Sequence, residues 1–204
     1  MNRLLKRSLD IICAAAALLI LAPVFGLVAV LIRVDSSGSA FFRQERLGRA
    51  GSTFRVLKFR TMIEGAQDHP LGMKTGPSDP RITRIGRWLR RFSIDELPQL
   101  INVFRGEMSL VGPRPAPVSH LERYSPSERR RLDVAPGITG LAQVEGRNAL
   151  TWQERIEYDL CYVDNRSLWL DLRILLRTVG AVSRSTGVYS GRNERLINEL
   201  TRKD

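Results

Sequence analysis

The sequence predicts a mainly α-helical fold with a small β component, an α+β class, fastened to a membrane at its amino-terminal end. Three observations carry this reading. Residues 11–32 hold no charged side chain, apolar residues recur at helical spacing through much of the remaining chain, and strand-like alternation is confined to residues 41–62.

The apolar segment comes first. About 22 residues rising 1.5 Å each make roughly 33 Å of helix, close to the ~30 Å hydrocarbon thickness of a bilayer. Pro23 sits at its middle, where the missing N–H and the clash with the preceding turn predict a bend. Arg3, Lys6 and Arg7 precede the segment and Arg33, Arg43, Arg46 and Arg49 follow it, so the charge asymmetry that orients a crossing helix is absent. A re-entrant helix that enters, bends at Pro23 and leaves through the same face satisfies both observations; a spanning helix is the alternative. The residues that follow, Arg33, Val34 and Asp35, lack a small-residue cleavage site, which argues against a removable signal. The expected organisation is a membrane helix over residues 1–35, a domain over 36–187 and a polar tail over 188–204.

Composition narrows the partners. The 204 residues carry 32 Lys and Arg against 21 Asp and Glu, a formal charge of +11, which suits lipid headgroups, phosphorylated small molecules or nucleic acid. No stacking motif or recognition-helix pattern supports nucleic acid. Cys13 and Cys161 have no metal or redox spacing, and two histidines leave a zinc site almost without ligands. A reducing, cytosolic setting fits.

After a linker at Ser36, Ser37, Gly38 and Ser39, residues 41–62 read as two short strands joined at Arg49, Ala50 and Gly51. Residues 64–80 are rich in Gly and Pro and read as a loop. Residues 81–92 form a basic amphipathic helix: Ile82, Ile85, Leu89 and Phe92 share one face, and Arg81, Arg84, Arg87, Arg90 and Arg91 occupy the others. Such a helix suits either a charged face over a core or a membrane interface. Helices are also expected over 97–104, 127–133 and 152–182. Gly106, Gly112, Pro113, Pro115 and Pro117 mark irregular backbone, and 136–147 a loop.

Two adjacent carboxylates, Asp95 and Glu96, follow directly on the arginine run. Ser93 and Glu96 have the spacing of a helix capping box, which would make them structural. Phosphoryl transfer, however, requires a carboxylate nucleophile or metal ligand, guanidinium groups for the phosphates and N–H groups at a helix start, and this segment offers all three. Gly-Pro-Arg-Pro at residues 112–115 adds Arg114 on a turn stiffened by prolines, suited to bidentate phosphate contact. In the loop at Gly146, Arg147 and Asn148 are candidates for sugar or nucleotide recognition, or an ordinary turn.

The segments LKRSLDI, FFRQERLGRAGSTFRVLKFRTM, SIDELPQLINV, MSLVGPRP, APGITGLAQVEGRN and DLCYVDNRSLWLDLRIL, collinear over residues 5–187, resemble the bacterial sugar transferases, or monotopic phosphoglycosyl transferases. The short length and the stretch GRNALTWQERIEYDLCYV are most similar to the small bacillosamine-type members. The resemblance implies transfer of a sugar 1-phosphate from a UDP-sugar, such as a UDP-N-acetylated amino sugar, to undecaprenyl phosphate, with UMP released and Mg2+ required. UDP-galactose and UDP-glucose are alternative donors.

It further implies that Asp95 is the nucleophile of a covalent phosphosugar intermediate and Glu96 its partner, with both carboxylates at the magnesium. Arg90 takes the place of the arginine paired with this dyad, Lys58 that of a functional lysine and Arg114 that of a phosphate-binding arginine. It places the protein monotopically in the bacterial inner membrane, with interfacial amphipathic helices, a catalytic domain on the cytosolic face and anionic lipids around it; self-association is left open. Two positions depart from the family pattern: Ala22 stands before Pro23 where Ser is common, and Ala142 where an aromatic is frequent.

Overall fold

The computed structural model describes residues 2–66, 79–146 and 149–183. Its spine is α1, Arg3–Asp35, a 33-residue helix that runs through Pro23. Asn2 caps it, its side chain accepting from the N–H groups of Leu4 and Leu5. Among the described residues this is the one helix long and apolar enough to cross a membrane.

Two separate apolar clusters seat α1 on the domain. Upstream of Pro23, Ala14 is fully buried with Val56, Leu100, Val103 and Met108, flanked by Ala17, Leu18 and Leu21. The alanines let the neighbouring helix approach closely. Downstream, Val28 and Ile32 pack with Ala40, Phe59 and Leu89, flanked by Phe25 and Ala29. Polar contacts fasten both ends. Arg7 donates to the carbonyls of Val103 at 2.7 Å and Phe104 at 3.0 Å, and the Ile85 N–H donates to Asp35 Oδ2 at 2.9 Å. Asp10 accepts from Ser109 Oγ at 2.8 Å and the Leu110 N–H at 3.2 Å, and Lys6 Nζ lies 2.8 Å from Asp171.

The hairpin falls where the alternation puts it. β1, Phe41–Leu47, and β2, Thr53–Phe59, pair antiparallel through a tight turn at Arg49–Gly51 in which Ala50 takes a left-handed φ of 55°. Asn102 holds the outer edge of β2, accepting from the Leu57 N–H and donating to the Arg55 carbonyl.

The basic helix α2 is shorter than its pattern, Arg84–Arg91, capped by the Thr83 hydroxyl. Arg81, expected on its surface, lies in the turn ahead of it, buried and paired with Asp79 at 2.7 Å, because two residues of separation in that turn close a bidentate ion pair. Leu89 points inward and Trp88 outward. Gly86 presses on the Thr61 carbonyl so closely that a Cβ would collide with it.

α3, Gln99–Arg105, follows, ended by Gly106 at φ 94°. Two regions expected to be irregular are partly regular. Ser109–Val111 forms β3 and Gly137–Thr139 forms β4, a parallel pair, and Leu141–Glu145 forms the short helix α5 after α4, Pro126–Arg129. Strands of three residues are too short for an alternation signal, and glycines at 112 and 137 are needed because the two backbones nearly touch there.

The long helix expected over 152–182 is two, α6 at Trp152–Asn165 and α7 at Leu168–Ser183. Arg166 leaves the helical region at ψ 124°, the Asn165 side chain donates to the Cys161 carbonyl and Ser167 Oγ accepts from the Leu170 N–H. Ser167 thus starts a new helix.

Candidate active site

Asp95 and Glu96 lie in a single 3-10 turn, Ile94–Glu96, squeezed between α2 and α3. Ser93 leads into it with φ 56° and makes no side-chain cap bond, so the capping-box alternative is not formed. A non-glycine residue in the left-handed region costs of order 1 kcal/mol or more and persists where surrounding structure imposes it. The imposed result is that both carboxylates leave the turn side by side.

Their surroundings differ sharply. Glu96 Oε1 accepts from Lys58 Nζ at 2.7 Å and from Arg114 Nη2 at 2.6 Å, while Oε2 accepts from Arg114 Nη1 at 3.1 Å. Lys58 arrives from β2, and Arg114 from the proline-flanked loop after β3. Asp95 accepts no hydrogen bond from any described residue. Burial, followed by the adjacent Glu96 charge, raises its pKa, against the pull of Lys58, Arg90 and Arg114. Glu96 moves the opposite way: the Arg114 and Lys58 charges and their hydrogen bonds outweigh burial and hold it ionised. One carboxylate is locked as an anion inside a cationic clamp, and its neighbour is open.

Arg90 is aimed at the same region without touching either carboxylate. Its Nε donates to Thr61 Oγ1 at 2.8 Å, leaving its charge to act on Asp95 through space. The structure therefore brings Lys58, Glu96 and Arg114 into direct contact, sets Asp95 beside them and keeps Arg90 one step back. Arg147 and Asn148 lie outside the described residues. The helix start expected to present N–H groups is a turn whose amides are taken internally: Glu96 to the Ser93 carbonyl and Leu97 to the Ile94 carbonyl. Positive charge at the site comes from side chains.

Arg131 supports the clamp and carried no motif in the sequence. Buried, it pairs with Asp159 at 2.5 Å and donates to the Arg114 carbonyl at 3.1 Å, while its guanidinium lies against the rings of Tyr124 and Trp152. Long-range pairs of this kind leave no local spacing to detect. Gln143 and Ala142 lie on α5, where Ala142 is buried.

Comparison with known proteins agrees with the geometry. The family model for bacterial sugar transferases matches residues 1–185. The chain is 41% identical over 198 residues to the exopolysaccharide production protein ExoY of Rhizobium meliloti, covering 90% of this chain and 88% of that one. It is 45% identical over 192 residues to the UDP-glucose:undecaprenyl-phosphate glucose-1-phosphate transferase of Caulobacter vibrioides, covering 90% and 72%. It is 40% identical over 202 residues to the undecaprenyl-phosphate galactose phosphotransferase of Salmonella typhimurium, covering 92% and 42%. A match spanning the long apolar helix, the hairpin, the carboxylate turn and the helices behind it leaves one conclusion: the chain belongs to the bacterial sugar transferase family.

Proposed function

We propose that the protein transfers a sugar 1-phosphate from a UDP-sugar to undecaprenyl phosphate in two steps through Asp95, the entry reaction of glycoconjugate assembly. The observation that carries this reading is the contrast within the dyad: Glu96 is fixed by Lys58 and Arg114 while Asp95 is open. In the first step an Asp95 carboxylate oxygen attacks the sugar-bearing phosphorus, the bond to the bridging oxygen breaks and UMP leaves with the electron pair. In the second, a phosphate oxygen of the lipid attacks the same phosphorus and returns Asp95 as a free carboxylate. Attack by an anion on a diphosphate requires cations around both, a need Lys58, Arg90 and Arg114 meet.

Magnesium suits the donor set. It takes hard oxygen ligands, often one or two carboxylates with substrate phosphate and water completing the shell. Asp95 has oxygens to offer, and Glu96 Oε2, which accepts one bond from Arg114, keeps a lone pair, while Lys58 and Arg114 take both of those on Oε1. The ion would neutralise charge on the diphosphate as it is cleaved. Lys58 and Arg114 meanwhile hold Glu96 still, and Arg90 favours ionised Asp95.

Relatives named for UDP-glucose and galactose transfer support a neutral hexose donor. The bacillosamine-like stretch running into α6 supports a UDP-N-acetylated amino sugar as the second candidate. Purified protein in lipid nanodiscs, given UDP-glucose, UDP-galactose, UDP-N-acetylglucosamine and UDP-diacetylbacillosamine with undecaprenyl phosphate and magnesium, is expected to release UMP from one of them. No UMP from the whole panel, or full activity in Asp95→Asn, overturns the reading.

The seating of α1 supports a monotopic arrangement on the cytosolic face. A crossing helix carries one end ~30 Å through hydrocarbon, away from the domain attached to its other end. Here both ends, through Arg7 and Asp35, bond to the same domain. The opposite side of α1 offers Leu19, Ile20, Leu27 and Val30 to lipid, and Trp88 on α2, Phe92 just after it, and Trp169 and Leu176 on α7 are further exposed apolar side chains. Pro23 falls between the two seating clusters, where a bend would tip both halves toward the interface. Arginines on α2 suit anionic headgroups.

A further inference from the structure

The cations at the dyad continue past it in one direction. Strand pairing sets Phe42 opposite Lys58, Gln44 opposite Val56 and Arg46 opposite Phe54. Cross-strand partners share a face, so Lys58, Gln44 and Arg46 stand in a row on one side of the hairpin. The end of this row is zipped to the loop that carries Arg114. The Leu47 N–H donates to the Ala116 carbonyl at 2.9 Å, and Arg46 forms a backbone bridge with Pro117.

Arg46 itself is half-buried, and its Nη2 donates to a neutral acceptor, Gln44 Oε1, at 2.5 Å. Among the described residues no carboxylate pairs with it. Burial and the nearby Arg114 charge lower its pKa to about 10, with only Glu96 acting in the other direction. Two guanidinium groups close together with one carboxylate, itself already bonded to Arg114, are balanced when a further anion binds.

Beyond Arg46 the chain turns into an aromatic ledge. The 3-10 turn Val118–Arg123 begins at Pro117 and carries His120, whose ring meets Trp152 edge to face at 4.7 Å. Trp152 stacks on Tyr124 at 5.9 Å and is 42% exposed. His120 Nδ1 is buried and without a hydrogen-bond partner. Leu47 packs under this ledge with Tyr124 and Ile156, one helical turn along α6 from Trp152. From Asp95 outward, the order is open carboxylate, clamped carboxylate, Arg114, Arg46, ring ledge.

Resting on the reading above, the geometry points to Arg46 as the contact for the phosphate that stays with the nucleoside, with the His120–Trp152 ledge receiving the uracil. The donor then lies with its sugar-bearing phosphorus at Asp95 and its UMP half along β1. Arg46 faces the group whose charge grows as the bridging bond breaks, and an aromatic edge beside an anion site is how proteins hold a nucleobase without reading much of it.

The test uses the full chain in nanodiscs, with UMP and ribose 5-phosphate as competitive probes. Arg46→Gln is expected to raise the inhibition constants of both, and the KM for the UDP-sugar, about tenfold, the size of one lost charge-assisted contact. Arg46→Lys recovers part of this. Trp152→Leu raises the constant for UMP and leaves that for ribose 5-phosphate in place. Arg55→Gln, on the exposed opposite face of the hairpin, serves as the control and changes neither. Unchanged constants in a folded Arg46→Gln protein overturn the inference. If the variants fail to fold, photolabelling of the unaltered protein with 5-azido-UMP decides: modification of the peptide holding His120 or Trp152 supports the placement, and modification elsewhere removes it. Absence of UMP release by the unaltered protein from every donor would instead sink the proposed reaction, so the two failures are separate.

Discussion

Lys58 and Arg114 converge on the same oxygen of Glu96, at 2.7 and 2.6 Å, and leave the neighbouring Asp95 to the substrate. Asp95→Asn is therefore expected to abolish UMP release while the thermal midpoint stays near that of the unaltered protein. Lys58→Met and Arg114→Met each remove a group that both positions Glu96 and screens the diphosphate, and each should lower kcat roughly 10²-fold. Steady-state UMP release checks all three. An Asp95→Asn protein with more activity than Lys58→Met would contradict the division of labour.

The pH profile follows from the opposite shifts of the pair. Asp95 attacks in its deprotonated form, and burial with the Glu96 charge raises its pKa above the ordinary 3.8, so kcat/KM should rise with pH through an acid limb lying above the usual carboxylate range. Glu96→Gln removes one cause of the rise and moves the limb to lower pH. Lys58→Met removes a cation that favours ionised Asp95 and moves it higher. An acid limb that stays in place in both variants would belong to some other group.

Asp159 neutralises a buried arginine. Asp159→Ala leaves Arg131 uncompensated, a change that costs roughly 3–5 kcal/mol, and it frees the residue that holds the Arg114 carbonyl. The thermal midpoint in nanodiscs should fall clearly, and kcat should fall even at temperatures where the protein remains folded. Loss of stability without any change in kcat would show that Arg131 does not position Arg114.

Gly86→Ala tests the approach of α2 to the strand end. The added methyl meets the Thr61 carbonyl, costing roughly 1–3 kcal/mol by overpacking, and it displaces the hydroxyl partner of Arg90. The acid limb of the pH profile should then move as well, because Arg90 is one of the charges acting on Asp95. A stable variant with an unaltered profile would place Arg90 outside the reaction.

Topology can be read chemically. In a variant lacking Cys13 and Cys161, single cysteines at Asn2 and at Ser36 are both expected to react with an impermeant reagent added from the cytosolic side. Reaction of the Asn2 cysteine from the periplasmic side would make α1 a crossing helix.

The parts of this molecule that were legible in the sequence are those with local signatures. The apolar run gave α1, alternation gave the hairpin, and the adjacency of Asp95 and Glu96 to an arginine run marked the site. The parts that escaped are carried by partners far apart in the chain. β3 and β4 are three residues each and exist because their glycines allow contact, so neither shows a period. Arg81 has a helical surface pattern, yet Asp79 two residues away captures it. The division of 152–182 into α6 and α7 turns on Asn165 and Ser167, polar residues that an exposed helix could equally carry. Arg131, 28 positions from Asp159 and 17 from Arg114, has no reach in sequence at all.

The seating of α1 on both apolar clusters also bears on how this protein comes into being. Val56, Val103 and Met108 on one side of Pro23, and Phe59 and Leu89 on the other, are covered by this helix. During synthesis this helix is made well before its walls, Met108 following its packing partner Ala14 by 94 positions. A shortened form lacking residues 1–35, a natural choice for producing soluble material, would be a domain with its floor removed, and clumping of that form would say nothing about the chemistry of Asp95.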